Sequence, residues 1–178
     1  RPLIALAGKV RDGRPREAAW CFTLAASGHP TLTIDPYRPD GLSGRFALPP
    51  LTAEPDCVVI THFHEDHSWL PPHWKSAQVI DRSGERGGVG YEFTPLYHDE
   101  SMGTKMGIVH AVRLRYADLS IVHLSDVGQL PLPPSLVSNV DVLMVPVGGT
   151  YTIGPEQAAA VARTVGARWI LPMHGHDP

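Results

Sequence analysis

One seven-residue segment limits most strongly what this chain can fold into and do. It reads Thr-His-Phe-His-Glu-Asp-His and directly follows the short apolar run Cys57 to Ile60. In an extended chain alternate side chains point to the same side, so His62 and His64 can converge on one metal ion. The turning chain beyond them presents Asp66 and His67 to a second ion. The segment therefore predicts two neighbouring metal sites where a strand ends.

The length and composition of the chain predict a folded protein. Its 178 residues slightly exceed the usual size of one domain, so we expect a single domain over residues 1–178. Apolar residues make up 43% of the chain and charged residues 19%, which is far from the composition of disordered chains. We therefore expect this chain to fold by itself around one sizeable core.

The charge of the chain argues against a polyanionic partner. Fifteen Lys and Arg residues stand against 18 Asp and Glu residues, a formal net charge of -3 at pH 7. Such a chain has no overall basic field that would attract nucleic acid. A small-molecule substrate is the partner that we expect instead, and the sequence leaves the oligomeric state open.

The cysteines and the apolar runs predict a cytoplasmic protein. Cys21 and Cys57 are far apart in sequence and show no Cys-x-x-Cys spacing, so neither a zinc ribbon nor a disulfide framework is indicated. No run approaches the roughly 18 to 20 apolar residues that cross a membrane. The apolar run Leu3 to Gly8 is closed by Lys9 and does not extend into a signal core.

Short apolar and β-branched runs between turn residues predict an α/β or α+β protein. The predicted strands are Thr31 to Ile34, Cys57 to Ile60, Tyr91 to Leu96, Gly107 to Leu114, Leu119 to Leu124, Val140 to Val147 and Arg168 to Leu171. One clear helix is predicted over Pro155 to Val165, with an apolar face at helical spacing and Gly166 as its end. A shorter helix is expected after Glu65, ended by Pro71 and Pro72.

Further candidate ligands stand at the ends of other predicted strands. His98, Asp126 and His174 each follow an apolar run. Loops at strand ends are where a rigid scaffold commonly carries functional side chains, so we expect these three residues to share one rim. Two alternatives remain open, because His98 also fits an ordinary solvated loop and Asp126 also fits a turn before Gly128.

With these motifs in place, the chain resembles the metallo-β-lactamase superfamily, in its small lactonase-like and uncharacterised hydrolase branches. The likeness runs from Leu32 onward, and the motifs stand in the family's order: Thr61 to His67, Tyr97-His98-Asp99, His123 to Gly128, Val145 to Thr152, and Pro172 to Gly175. The resemblance implies a four-layer αββα sandwich with a two-metal site along one edge of the sheets.

The resemblance also implies an assignment of ligands. His62, His64 and His98 would hold the first ion, Asp66, His67 and His174 the second, and Asp126 would bridge both. Imidazole nitrogens and carboxylate oxygens without a thiolate suit zinc, manganese or iron, and we expect two ions, zinc first. Two such cations make hydroxide available near neutral pH, and Asp66 could then orient it or move a proton as a catalytic residue.

Three further residues are candidates with two interpretations each. Asp35 could orient a ligand histidine, or it could simply form a turn with Pro36. Tyr151 follows Gly148-Gly149 and could touch substrate, or the glycines could be a plain turn before the helix. Lys105 could bind an anionic group of the substrate, or it could be solvated like most lysines.

The leading functional hypothesis is a metal-dependent hydrolase of an ester, lactone, amide or phosphoester in a small molecule. An iron-dependent oxidoreductase of dioxygenase type on the same fold is the main alternative, since fold alone does not fix the chemistry. A nuclease is less favoured because the arginines are scattered and no clamp domain fits in 178 residues. A non-catalytic metal-binding module is disfavoured by the seven candidate ligands.

Overall fold

The computed structural model describes residues 20–41 and 48–175. These residues fall into two compact units, one of residues 20–41 and 48–81 and the other of residues 82–175. Each unit contains one β-sheet. The expectation that the whole chain forms one domain stays a prediction.

The sheet of the first unit has the strand order β1-β2-β3-β4. Its strands are β1 (Phe22–Leu24), β2 (Leu32–Ile34), β3 (Cys57–Val59) and β4 (Gln78–Ile80). β1 and β2 are antiparallel, whereas the other neighbours are parallel. Every residue of β2 and β3 is buried, as expected of central strands whose two faces are both covered.

Parallel pairing continues past the ends of β2 and β3 and places two polar residues side by side. The Asp35 N–H donates to the Val59 carbonyl at 2.9 Å, and the Ile60 N–H donates to the Ile80 carbonyl at 3.0 Å. Because the carboxyl ends of parallel strands lie at the same edge of a sheet, Asp35 and Thr61 emerge together there.

The sheet of the second unit has the strand order β10-β9-β8-β7-β6-β5. Its strands are β5 (Gly84–Arg86), β6 (Val89–Tyr97), β7 (Ile108–Tyr116), β8 (Leu119–His123), β9 (Val142–Pro146) and β10 (Trp169–Met173). The first four are joined as antiparallel neighbours, and β8, β9 and β10 run parallel.

Two helices of the described residues belong to the second unit, the four-residue α1 (Pro134–Val137) and α2 (Pro155–Val165). α2 buries Ala158 and Val161 in a cluster with residues of the sheet such as Leu143. It ends at Gly166, whose φ of 63° is a left-handed conformation that glycine adopts without strain. The predicted bounds of this helix are confirmed.

All seven predicted strands are confirmed, each with boundaries within two residues of those predicted. Strands β1, β4 and β5 were not predicted. The helix expected after Glu65 is wrong, because the chain there forms turns in which the His67 N–H donates to the His64 carbonyl at 3.0 Å. Within the described part of the chain, neither helix has the length and apolar character needed to cross a bilayer.

Candidate metal centre

In the first unit, the candidate ligands surround the buried carboxylate of Asp35. Its Oδ1 accepts the Thr61 N–H at 2.8 Å, and its Oδ2 accepts the Thr61 hydroxyl at 2.7 Å. The same Oδ2 lies 3.1 Å from His67 Nδ1. Asp35, Thr61, His62 and His67 are all buried. Asp35 thus ties the end of β3 to a histidine that lies six residues further along the chain.

These hydrogen bonds determine which nitrogen of each ring is left to bind a metal. A hydroxyl has one proton, and Thr61 donates it to Asp35. His62 Nδ1, 3.0 Å from the Thr61 oxygen, must therefore be the donor in that contact. His67 Nδ1 likewise donates to the Asp35 carboxylate. In the neutral form of both rings the lone pair is consequently on Nε2, the arrangement usual in metal-binding histidines.

The remaining residues of the segment stand close to these rings. The His62 ring centroid lies 4.6 Å from that of His64 and 4.2 Å from that of His67. His67 Nε2 is 3.3 Å from Asp66 Oδ2. A tetrahedral zinc ion with bonds of about 2.0 to 2.1 Å separates two ligand atoms by about 3.3 to 3.4 Å. The spacing of the Asp66 and His67 atoms therefore fits one edge of a coordination sphere.

Asp35 itself could be counted as a ligand, because it, His62 and His67 each offer an atom within 4.8 Å of the others. However, both of its oxygens already accept N–H or O–H donors from Thr61 and His67. We therefore assign Asp35 the orientation of the rings and leave coordination to Nε2 of the histidines.

In the second unit, three candidate ligands meet at one carboxylate. His98 follows β6, Asp126 lies three residues beyond β8, and His174 follows β10. Asp126 Oδ2 is 3.2 Å from His174 Nε2 and 3.8 Å from His98 Nε2. Asp126 and His98 are buried. The carboxylate thus lies within reach of two imidazole nitrogens, as a bridging ligand would require.

The orientation of the His98 ring is set by the backbone of Tyr151. His98 Nδ1 lies 3.2 Å from the Tyr151 carbonyl, which can only accept, so Nδ1 carries the proton. In the neutral ring the lone pair is then on Nε2, which faces the Asp126 carboxylate at 3.8 Å, so a cation between the two would be attracted by both. The nitrogen and oxygen donors of this cluster therefore fit a bound divalent ion of the zinc, manganese or iron type.

Several residues of the candidate site have a strained backbone conformation. Asp35, Ser125, Tyr151 and His174 all have φ between 52° and 59°, in the left-handed region that side chains other than glycine rarely adopt. Such conformations persist where the surrounding structure requires them, and they cluster at functional sites. Four of the seven such residues in the described part of the chain are at, or immediately before, candidate ligands and their hydrogen-bond partners; the other three are Met102, Ala117 and Asn139.

Two glycines that the ligand motifs contain allow the backbone to approach the ligands closely. A Cβ at Gly128 would lie 2.5 Å from the His98 carbonyl oxygen and 2.6 Å from Asp99 Cα. A Cβ at Gly148 would overlap the His174 carbonyl oxygen and lie 3.1 Å from His174 Nδ1. Sequence reasoning did not identify this role, although both glycines stand in motifs that carry the family resemblance.

A second feature that sequence reasoning missed is the buried carboxylate of Asp99, which holds the loop after His98. Its oxygens accept four backbone N–H groups at 2.8 to 3.2 Å, from Ser101, Gly103, Lys105 and Met106. Burial alone would raise the pKa of Asp99, but the four donors hold it below its ordinary value. The loop is therefore fixed from inside by one ionised carboxylate.

The loop lysine forms an ion pair within the loop. Lys105 Nζ donates to Glu100 Oε1 at 2.7 Å, and both side chains are at least half exposed. This contact raises the pKa of Lys105 and lowers that of Glu100. An anion-binding role for Lys105 stays a prediction, and so does a substrate contact by the exposed Tyr151 side chain.

Comparisons with known proteins agree with the motifs. The family model described as the β-lactamase superfamily domain matches residues 18–174. A UPF0173 metal-dependent hydrolase of Methanoculleus marisnigri is 32% identical over 182 residues, covering 86% of this chain and 76% of the relative. A relative from Methanoregula boonei with the same name is 26% identical over 181 residues, with 83% and 76% of the two chains covered.

Solved structures show the same fold. A protein of Thermotoga maritima that is proposed to be a zinc-dependent hydrolase of the metallo-β-lactamase superfamily is 34% identical, with a TM-score of 0.62 over 86% of this chain and 71% of that one. A protein of Parabacteroides distasonis is 20% identical, with a TM-score of 0.61 over 89% of this chain and 80% of that one. At this identity the similarity is evidence for the fold only. The expected metallo-β-lactamase fold of the α/β class is confirmed. The chain therefore belongs to the metallo-β-lactamase superfamily, grouped with its metal-dependent hydrolases.

Proposed function

We propose that this chain is a binuclear metal-dependent hydrolase that cleaves an ester, lactone, amide or phosphoester bond in a small molecule. Its ligands would be His62, His64, His98, Asp66, His67, Asp126 and His174. The observation that carries the proposal is the orientation of the histidine rings. In His62, His67 and His98 alike, Nδ1 is occupied by a hydrogen bond, so that Nε2 is left for coordination.

Zinc is the metal that we propose first. The donor set has imidazole and carboxylate groups and fits the ligand spacings of zinc. The Thermotoga maritima protein, at 34% identity, is itself proposed to depend on zinc. Two bound divalent ions would lower the pKa of a bound water to about 7, so that hydroxide is present at neutral pH, and would polarise the carbonyl or phosphoryl oxygen of the substrate.

The protein groups have separate tasks in this proposal. Asp35 and Thr61 orient the rings of His62 and His67 through the hydrogen bonds described above. Asp126 would join the two ions because its carboxylate lies within reach of two imidazoles. The Asp66 side chain is 18% exposed, unlike the fully buried Asp35, so its carboxylate can meet both an ion and the attacking water. Asp66 is therefore the group that we propose to take up and release the proton during hydrolysis.

We propose a small substrate rather than a nucleic acid because the chain carries a net charge of -3. The iron-dependent oxidoreductase remains an outcome of the experiment, and no contact among residues 20–41 and 48–175 favours it over hydrolysis.

The test is metal analysis of the purified protein together with two aspartate variants. We expect about two equivalents of zinc per chain in the wild type and at most one in Asp126→Asn. Asp118→Asn, at an exposed position of the same unit, is the matched control and should keep the wild-type content. Turnover of nitrophenyl esters, lactones and phosphoesters should follow the zinc content.

Three results would overturn the proposal. A protein that binds no metal after reconstitution with zinc would show that the ligands do not act together. Hydrolysis that Asp126→Asn leaves unchanged would remove the metal centre from the reaction. A single tightly bound iron with oxygen-dependent turnover would favour the oxidoreductase.

A further inference from the structure

We propose that the substrate carries an aliphatic acyl chain, which binds to an apolar patch of Tyr97, Met102, Ile108 and Tyr151 beside His98. This inference rests on the proposed hydrolase function and adds the substrate class to it. All four side chains are exposed in the second unit, by 38% at Tyr97, 72% at Met102, 55% at Ile108 and 43% at Tyr151. Exposed apolar groups that gather in one place usually mark a binding surface, whereas scattered ones need no explanation.

The pairing of β6 and β7 puts two of these side chains next to each other. Tyr97 and Ile108 are opposite one another in the antiparallel register, so they lie on the same face of the sheet. Their neighbours Leu96 and Val109 also oppose each other, and both are buried. At the end of the β6–β7 hairpin, the two solvent-facing positions, Tyr97 and Ile108, are therefore apolar, although solvent-facing positions of a strand are usually polar.

The loop after His98 adds Met102 to this surface. Gly103, the next residue, lies against the Tyr97 ring, since a Cβ there would be 3.1 Å from Tyr97 Cδ1. The Gly107 N–H donates to the Gly103 carbonyl at 2.9 Å, which closes the loop. The four bonds to Asp99 keep this backbone in place. Met102 is therefore held in an exposed position by a rigid loop that rests on Tyr97.

Backbone contacts connect the patch to the proposed ligand His98, both from the pair Tyr97 and Ile108 and from Tyr151. His98 directly follows Tyr97, and its N–H donates at 3.1 Å to the carbonyl of Gly107, which precedes Ile108. The Tyr151 carbonyl binds His98 Nδ1. After Glu100 and Asp99, the side chain of Tyr151 is also among the groups that raise the pKa of Lys105, so it lies within electrostatic reach of the loop. An acyl chain on this surface would accordingly lead away from the scissile group at the metal centre.

The charges of the loop favour a neutral chain over an anion. Asp99 is fully engaged by backbone donors, and the charge of Lys105 is compensated by Glu100 at 2.7 Å. An uncharged aliphatic group that binds here would therefore not remove water from an unpaired charge.

The experiment measures how kcat/KM depends on acyl length, using nitrophenyl esters from acetyl to octanoyl and the zinc-loaded protein. Burial of a methylene on all sides is worth about fourfold in binding, so a surface that contacts one side of the chain should give about twofold per methylene. The octanoyl chain has six more methylenes than the acetyl group, so we expect kcat/KM to rise about 60-fold, mainly through KM.

Two variants locate the effect. Ile108→Lys should lower the ratio of kcat/KM for the octanoyl ester to kcat/KM for the acetyl ester at least tenfold. Ile170→Lys is the matched control, because Ile170 is 44% exposed on β10 but lies four residues, about 13 Å, before His174. The control should keep the wild-type dependence on chain length, and both variants should keep the wild-type zinc content.

A flat dependence on chain length in an active, zinc-loaded wild type would refute the apolar patch while the hydrolase function stands. The same loss in Ile108→Lys and Ile170→Lys would also refute it. If no ester is cleaved, equilibrium dialysis of octanoate and acetate tests the patch alone. Octanoate should then bind at least tenfold more tightly than acetate, and Ile108→Lys should abolish the difference; equal binding of the two acids would refute the patch.

Discussion

The close approach of Gly128 to the backbone of residues 98 and 99 allows one methyl group to test whether that backbone positions a ligand. In Gly128→Ala the new Cβ would lie 2.5 Å from the His98 carbonyl oxygen, 2.6 Å from Asp99 Cα and 2.8 Å from Asp99 N. Carbon atoms in contact prefer about 3.5 to 4.0 Å, so these backbones must move apart by about 1 Å.

Such a movement has two consequences, one for stability and one for metal binding. Overpacking of this kind typically costs about 1 to 3 kcal/mol of folding free energy. The displaced backbone carries His98, and metal ligands must hold their distances to within about 0.2 Å. We therefore expect Gly128→Ala to lower zinc affinity about 10- to 100-fold, a loss comparable to that from removing a group that orients a ligand.

Two assays separate these effects. Urea unfolding of the metal-free protein measures stability, and competition with a chelator measures zinc affinity. Gly84→Ala is the matched control, because a Cβ at Gly84 meets no atom within 4 Å; its stability should stay within about 0.5 kcal/mol of the wild type. If Gly128→Ala binds zinc as tightly as Gly84→Ala does, the backbone contact does not position His98 and the reasoning is refuted.

Three further perturbations test the structure away from the proposed ligands. The N–H and hydroxyl of Thr31 hold the pKa of Asp56 below its ordinary value. The stability that this contact contributes above about pH 3.9 should therefore be lost as the pH falls through the pKa of the folded state. Asp56→Asn should accordingly make the urea midpoint less dependent on pH between about 4 and 2. Burial, and after it the charge of Asp35, raises the pKa of the Cys21 thiol. An aromatic disulfide reagent at pH 8 should therefore label Cys21 only after urea is added. Rapid labelling of the native protein would contradict the burial of this thiol. Leu143→Ala removes a fully buried side chain and should cost about 2 to 5 kcal/mol in urea unfolding, whereas the exposed Leu70→Ala should change stability by about 0.5 kcal/mol or less.

The strands that the sequence predicts correctly are those that carry their own apolar signal. β3 and β9 are buried throughout and appear in the sequence as continuous apolar runs. β5 reads Gly-Glu-Arg and is fully exposed, and β4 buries only Ile80. These two strands exist because they pair with β6 and β3, and such pairing cannot be deduced from the strand's own residues.

The same distinction holds for the candidate site. The histidines and aspartates could be proposed as ligands because each carries its chemistry in its side chain. The orientation of those ligands depends on groups that spacing does not reveal, such as the Tyr151 carbonyl, which lies 53 residues from His98. Asp35 is a candidate from the sequence for orienting a ligand histidine, with a plain turn as the alternative, but spacing does not reveal that its partner is His67, 32 residues away.

The way in which Asp99 holds its loop has a consequence for how this protein could change. The carboxylate binds only backbone N–H groups, and the side chains of residues 101 to 106 contribute nothing to those four bonds. Most side chains there can consequently be exchanged while the conformation of the loop is retained. Mutational libraries at Met102 and Thr104 should therefore yield altered substrate selectivity among stable proteins, whereas libraries at Asp99 should yield mainly unfolded loops. The chain thus separates the residue that shapes the loop from the residues through which new specificities can arise.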